Sequence, residues 1–222
     1  MNLEKVIIFG IGDISKIAHY YLSKDDRYEV VALTIDNEYK DIECFENLPV
    51  ISFDDIESLY PPQHFKMFIP LSYTKLNKLR EKKFLEAKEK GYEFISYISP
   101  DAFIAENTII GTNCFIFENN TIQPFVNIGD NCILWSGNHI GHHSKIKENC
   151  FIASHVVVSG GVEIGKNTFI GVNATIRDHI KIGKFNVIGA GALILGDTED
   201  NQVYMSKATE ASRVPSNKLK GI

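Results

Sequence analysis

The sequence predicts a small α/β N-terminal domain followed by a parallel β-helix built from hexapeptide repeats. Two observations carry that prediction. A branched aliphatic stands at every sixth residue from Ile98, through Leu134 and Val158, to Ile194, seventeen positions with no insertion. Before Ile98, apolar runs alternate with polar, glycine-punctuated ones in a β-α-β order. A period of six matches neither the 3.6 of a helix nor the 2 of a paired strand. It is the period of a β-helix in which each hexapeptide supplies one short strand and a turn.

The first element is an apolar strand over residues 5–9. Gly10-Ile11-Gly12-Asp13-Ile14-Ser15 follows, then a helix over residues 15–22 and a second strand over 29–35 that ends at Asp36. In nucleotide-binding folds such a turn lets backbone N–H groups and a helix N-terminus meet phosphates, and the acid meets a ribose or base. Gly10, Gly12 and Asp36 are therefore candidate substrate-binding residues. Ser15 replaces the third glycine of G-x-G-x-x-G, so Gly10 and Gly12 also read as a plain tight turn. The domain continues with a strand over 65–71, a charged helix over 74–90 and a strand over 92–97, with Pro61-Pro62 in a loop. Ser99-Pro100 marks the junction. The divisions expected are 1–97, 98–196 and a C-terminal tail, 197–222.

In the repeat, three hexapeptides make one triangular coil, so residues eighteen apart stack one strand spacing apart, roughly 4.8 Å. Four residues after each aliphatic the side chain is mostly small or β-branched, as at Cys114, Val126, Ser144, Val162 and Ala174. One residue after it glycine recurs, at Gly111, Gly129, Gly141, Gly165, Gly171, Gly183 and Gly189. Glycine there is expected to serve a tight or left-handed turn. Cys114, Cys132 and Cys150 fall in one inner column, where parallel side chains suit neither a disulfide nor a tetrahedral metal site.

Composition narrows the function. A net charge of -5 gives no basic footprint, so nucleic acid is not an expected partner. No apolar run approaches the ~20 residues that span a bilayer, and no secretory leader precedes Lys5, so a soluble cytoplasmic protein with no membrane partner is expected.

Chemistry-bearing residues crowd one stretch: Asn138, His139, His142, His143, Ser154, His155 and Ser159-Gly160-Gly161. Four of the seven histidines lie within seventeen residues. His142 and Gly160 are eighteen apart, so they stack on one face. An imidazole beside an exposed glycine N–H suits acyl transfer: the ring takes a proton from the attacking group and the N–H holds the oxyanion. Asn138 is a candidate substrate contact. A metal is the rival for a histidine cluster, but His142 and His143 point differently in extended chain and no carboxylate accompanies them, so no metal is expected. His155 and His179 also read as surface or interface residues.

The chain resembles the bacterial hexapeptide-repeat sugar acyltransferases that carry a small nucleotide-binding N-terminal domain. These include UDP-4-amino-sugar and GDP-perosamine N-acetyltransferases and sialic acid O-acetyltransferases. The resemblance rests on Gly10-Ile11-Gly12, on Ile98-Ser-Pro100, on the uninterrupted repeat, on Ile140-Gly-His-His-Ser-Lys-Ile146 and on Ser159-Gly-Gly-Val-Glu-Ile-Gly165. It implies a left-handed β-helix, a homotrimer with sites between subunits, acetyl-CoA as cosubstrate and a nucleotide-linked amino sugar as acceptor. It implies further that His142 is the base, that Gly160 N–H meets the thioester carbonyl, that Val172 and Ala190 lie along the pantetheine arm, and that Gly12 and Asp36 meet the nucleotide. Two departures stand out. His143 occupies the place of an acid that would orient the base, and Met205-Ser206-Lys207-Ala208 stands where G-x-P-A closes the CoA site. The expected function is N-acylation. The alternatives are O-acylation of a sugar hydroxyl and a non-catalytic trimeric scaffold.

Overall fold

The computed structural model describes residues 3–219. The N-terminal domain is a five-stranded sheet in the order β3-β4-β2-β1-β5. Its strands are β1 Glu4–Phe9, β2 Tyr28–Ile35, β3 Cys44–Phe45, β4 Leu48–Ser52 and β5 Lys66–Phe68. All pairings are parallel except the β3–β4 hairpin. The helices are α1 Asp13–Leu22, α2 Ile56–Leu59 and α3 Lys78–Glu89. The strand expected over 92–97 shrinks to a single Met67–Phe94 bridge, and Tyr97–Ile98 already belongs to the repeat. Helix α3 starts later than expected because Lys75, Leu76 and Asn77 adopt left-handed backbone before it.

From Tyr97 on, two-residue strands stack in parallel into three sheets of seven, six and five strands, in a pattern consistent with a left-handed β-helix. Up to Ile194, strands eighteen residues apart pair, as in Thr121–His139–Val157–Thr175–Leu193. The aliphatics fill the interior with the small residues four positions later, including the three cysteines. Burial raises the Cys114 and Cys132 thiols above their ordinary range. The last coil runs beyond residue 196: strand Val203–Tyr204 pairs with Val187–Ile188, and Asp197 and Asp200 accept the Lys181 and Lys184 N–H groups.

The glycine expectation is corrected. None of the seven glycines after the aliphatics has a positive φ. They are small because the next coil is close: a Cβ on Gly141 would lie 2.5 Å from Gly160 N. The left-handed position is two residues later. Fourteen consecutive positions six apart, Asn113 to Gly191, all have positive φ, and His143, His155 and His179 are among them. These histidines are therefore turn residues of the coil, standing where asparagine, glycine or phenylalanine stands elsewhere.

The three faces differ in what covers them. On the first face the outward residues Phe115, Ile133 and Phe151 are at most 3% exposed, because they share a core with Leu22, Phe68 and Ile95 of the N-terminal domain. On the second face the equivalent Phe103 and Leu193 are 61% and 62% exposed. The third carries Lys145, Glu163 and Lys181 outward. Arg80 of α3 clamps the domains together. Fully buried, it donates to six oxygens at 3.1–3.2 Å: the carbonyls of Leu71, Ser72, Asn131, Asn149 and Cys150 and the Asn77 side chain. Desolvation pushes its pKa down to about 10. No described helix is long and apolar enough to cross a membrane.

Candidate active site

His142 follows strand His139–Ile140, and Gly160 follows the in-register strand Val157–Val158 on the next coil. Gly161 N–H donates to His142 O at 2.8 Å, which locks the two turns together. The His142 ring then lies directly over Gly160: a Cβ there would be 2.6 Å from Cε1 and 2.7 Å from Nε2. Only glycine permits this approach. The His142 N–H is occupied by Gln123 Oε1 at 2.9 Å, whereas the Gly160 N–H has no acceptor among the described residues. An imidazole and an amide donor with no acceptor among the described residues thus meet at one corner. His142 Nδ1 lies 3.1 Å from His143 Nδ1. Among the described residues no group of three or more His, Cys, Asp or Glu side chains is placed to hold a metal ion.

The other candidates do not all gather here. Val172 and Ala190 are exposed, but they turn the corner between the first and second faces, whereas His142 and Gly160 turn the corner between the second and third. A groove down one corner does not join them. The Met205–Ser206 stretch packs against that first corner, with Ser206 Oγ donating to Ala190 O. Asn138 is corrected from substrate contact to structural residue. It is 1% exposed; its amide donates to Trp135 O, and its oxygen accepts Val156 N–H at 2.8 Å.

In the N-terminal domain Gly10 has φ 107°, and a Cβ on it would strike Ser15 Oγ at 2.5 Å. Ser15 is 2% exposed and donates to Phe9 O, so it fills the gap a third glycine would leave. Gly12 caps α1 with nothing within 4 Å of a Cβ position, and no side chain caps the helix. That end of α1 is open to an anion. Asp36 already has a partner: Lys83 Nζ lies 2.5 Å from its Oδ1, and the remaining acids Asp54, Glu57, Glu86 and Glu89 line the same hollow. Lys83 is 7% exposed beside Phe9 and Phe53, and Asp36 supplies the charge it needs there.

A cleft of about 510 Å³ escaped the sequence reading. Asp13, Lys16, Tyr20 and Tyr21 of α1 form one wall, and Phe117, Glu118, Trp135 and Ser136 the other. Trp135 stacks on Phe117 at 4.5 Å, and Glu118 accepts from Tyr21 and Ser136 at 3.0 and 2.7 Å. Burial raises the Tyr21 hydroxyl to about 12. Glu118 and Ser136 head the column that continues through Ser154 to Val172 and Ala190. Extending the eighteen-residue spacing upstream would have found them.

The chain matches the bacterial transferase hexapeptide (six repeats) family over residues 125–160 and 161–196. No curated protein matches it in sequence. Among solved structures it is similar to a mutant perosamine N-acetyltransferase from Caulobacter crescentus in complex with CoA and GDP-perosamine. The identity is 22%, over 92% of this chain and 95% of that one, with a TM-score of 0.82. It is similar to the acetyltransferase domain of PglB from Neisseria gonorrhoeae in complex with acetyl coenzyme A, at 19% identity over 92% and 97% of the chains, TM-score 0.61. It is similar to WeeI from Acinetobacter baumannii, at 18% identity over 90% and 95%, TM-score 0.64. These likenesses span both domains and establish the fold.

Proposed function

We propose that the protein is an acetyl-CoA-dependent N-acyltransferase acting on a nucleotide-linked amino sugar. The observation that carries this reading is the His142 ring over Gly160 beside an amide N–H with no acceptor among the described residues. The similar structures that hold CoA, acetyl coenzyme A or GDP-perosamine support the substrate classes. In the reaction the amine nitrogen attacks the thioester carbonyl and an N–C bond forms. His142 Nε2 takes a proton from that nitrogen while Gly160 N–H stabilises the oxyanion. The C–S bond then breaks, and His142 returns the proton to the departing thiolate. One such amide donor contributes about 2.7–4 kcal/mol in comparable sites, and a positioned base roughly 10²–10⁴-fold. Direct attack needs no acyl-enzyme, and the inner cysteines are fully buried.

The nucleotide phosphates are assigned to Gly12 and the open end of α1, with the Trp135 cleft beside it for the base or sugar. The left-handed sense of the β-helix and a homotrimer belong to the same reading. His142 and Gly160 stand on one corner, and Val172, Ala190 and the cleft on another, so a site using all of them is closed by a second copy. His143 carries no negative charge when neutral, and an amine needs a weaker base than a hydroxyl, which favours N- over O-acylation.

The test is thiol release from acetyl-CoA with UDP-, GDP- and dTDP-linked amino sugars, for wild type and His142→Ala. Turnover with one acceptor, lost in the variant, supports the assignment. Turnover only with hydroxyl acceptors overturns N-acylation, and no turnover with any acyl donor or acceptor leaves the scaffold reading.

A further inference from the structure

We propose that His143 is a positioning residue that sets the tautomer of His142, and that the two imidazoles share one proton between their Nδ1 atoms. The proposal deepens the acyl-transfer reading and rests on it for its catalytic consequence. The two Nδ1 atoms are 3.1 Å apart, so a favourable contact places one hydrogen between them. For His142 to accept a proton at Nε2, Nδ1 must carry that hydrogen and His143 Nδ1 must receive it. His143 then keeps its own proton on Nε2. A carboxylate would impose the same tautomer; here a neutral imidazole does so.

Both rings are held in place. His142 lies against Gly160. His143 sits in left-handed backbone at φ 60°, donates its N–H to Pro124 O at 3.2 Å and packs on Phe125 at 4.7 Å between ring centroids. His155 and His179 occupy equivalent turns, but their rings cover Gly137 and Gly161, so neither meets a second histidine. The charged and titratable groups facing the pair are Glu106 two coils before His142 in its column, and Asp178 and His179 two coils on. Lys145 and Glu163 lie on the adjoining face. Asp178 and His179 approach each other at 3.9 Å. Among the described residues none of these groups bonds either imidazole of the pair.

An added proton leaves a single hydrogen between the Nδ1 atoms and a hydrogen on both Nε2 atoms. The base is then lost.

The experiment is ¹⁵N NMR of the full-length, histidine-labelled protein without substrate, alongside kcat and KM. The expected result is His142 with Nδ1 protonated and Nε2 bare at alkaline pH, and a single hydrogen between the two Nδ1 atoms. His143→Phe suits the left-handed turn, since Phe125 and Phe185 already occupy such turns at φ 66° and 56°. It removes the acceptor, so the Nδ1–H form should be lost and kcat should drop roughly tenfold, a fraction of what a positioned base supplies, with KM unchanged. His143→Asp and His143→Asn keep an accepting oxygen and should retain the tautomer and most of kcat. A His142 protonated on Nε2 in wild type, or an unchanged tautomer in His143→Phe, would overturn the proposal. The NMR arm needs no turnover. A correct tautomer without acyl transfer to any acceptor therefore supports the pair and counts against the enzymatic reading.

Discussion

The imidazole of His142 fills the space into which a Cβ on Gly160 would project, with Nε2 2.7 Å from that point. The two residues are eighteen apart, and the coil stacks them without help from the N-terminal domain. Gly160→Ala is expected to displace the ring and block the amide from a thioester. Activity should fall into the range of a lost general base, about 10²–10⁴-fold. The added methyl meets only the His142 ring and no backbone of the coil, so the thermal midpoint should stay near that of wild type. A variant that turns over normally would remove the basis for the assigned site.

Gly141, one residue before His142, is small for a different reason. A Cβ there meets backbone of the next coil, Ser159 C at 2.6 Å and Gly160 N at 2.5 Å. Backbone cannot rotate away, so Gly141→Ala should cost about 1–3 kcal/mol, the usual range of overpacking. Urea denaturation reads the loss as a lower midpoint. The contrast between the two alanine variants separates a site glycine from a packing glycine.

Arg80 is buried without a carboxylate partner among the described residues, and its donors go to six oxygens on both sides of the domain junction. Arg80→Met keeps the apolar stem and strips the donors. Each buried carbonyl left unpaired costs about 1–3 kcal/mol. The expected outcome is a large fall in urea midpoint, with separate unfolding of the N-terminal domain visible by tryptophan fluorescence, since Trp135 faces the junction. A single transition at the wild-type midpoint would show that the aromatic core suffices.

Glu118 reports on the cleft through pH. Burial pushes its carboxyl upward, but hydrogen bonds from Ser136, its own backbone N–H and Tyr21 together outweigh it and hold the pKa below the ordinary value. A folded value below the unfolded one means the stabilisation is present above the unfolded pKa and is lost as pH falls through the folded one. Wild type should lose urea stability through that acidic window more steeply than Glu118→Gln. Parallel curves for the two proteins would mean that Glu118 contributes nothing there.

Much of the β-helix was legible because a period of six assigns each residue a column and a direction. The inner cysteines, the His142–Gly160 stacking and the strand register follow from spacing alone. The left-handed position was misplaced because glycine serves two needs, close approach and positive φ. In this chain asparagine, histidine and phenylalanine meet the second. Asp36 looked free because its partner Lys83 is forty-seven residues away. Asn138 looked available because composition does not show that its amide closes a turn.

The sequence by itself determined the coil, its register and the meeting of imidazole and amide, because these depend on residues a constant number of positions apart. Only the tertiary structure decided which face the N-terminal domain covers, that Arg80 joins the two parts, and that the cleft and Val172 lie on a different corner from His142. Those relationships depend on contacts between residues at unrelated positions, and a repeating pattern carries no information about what packs against its outside.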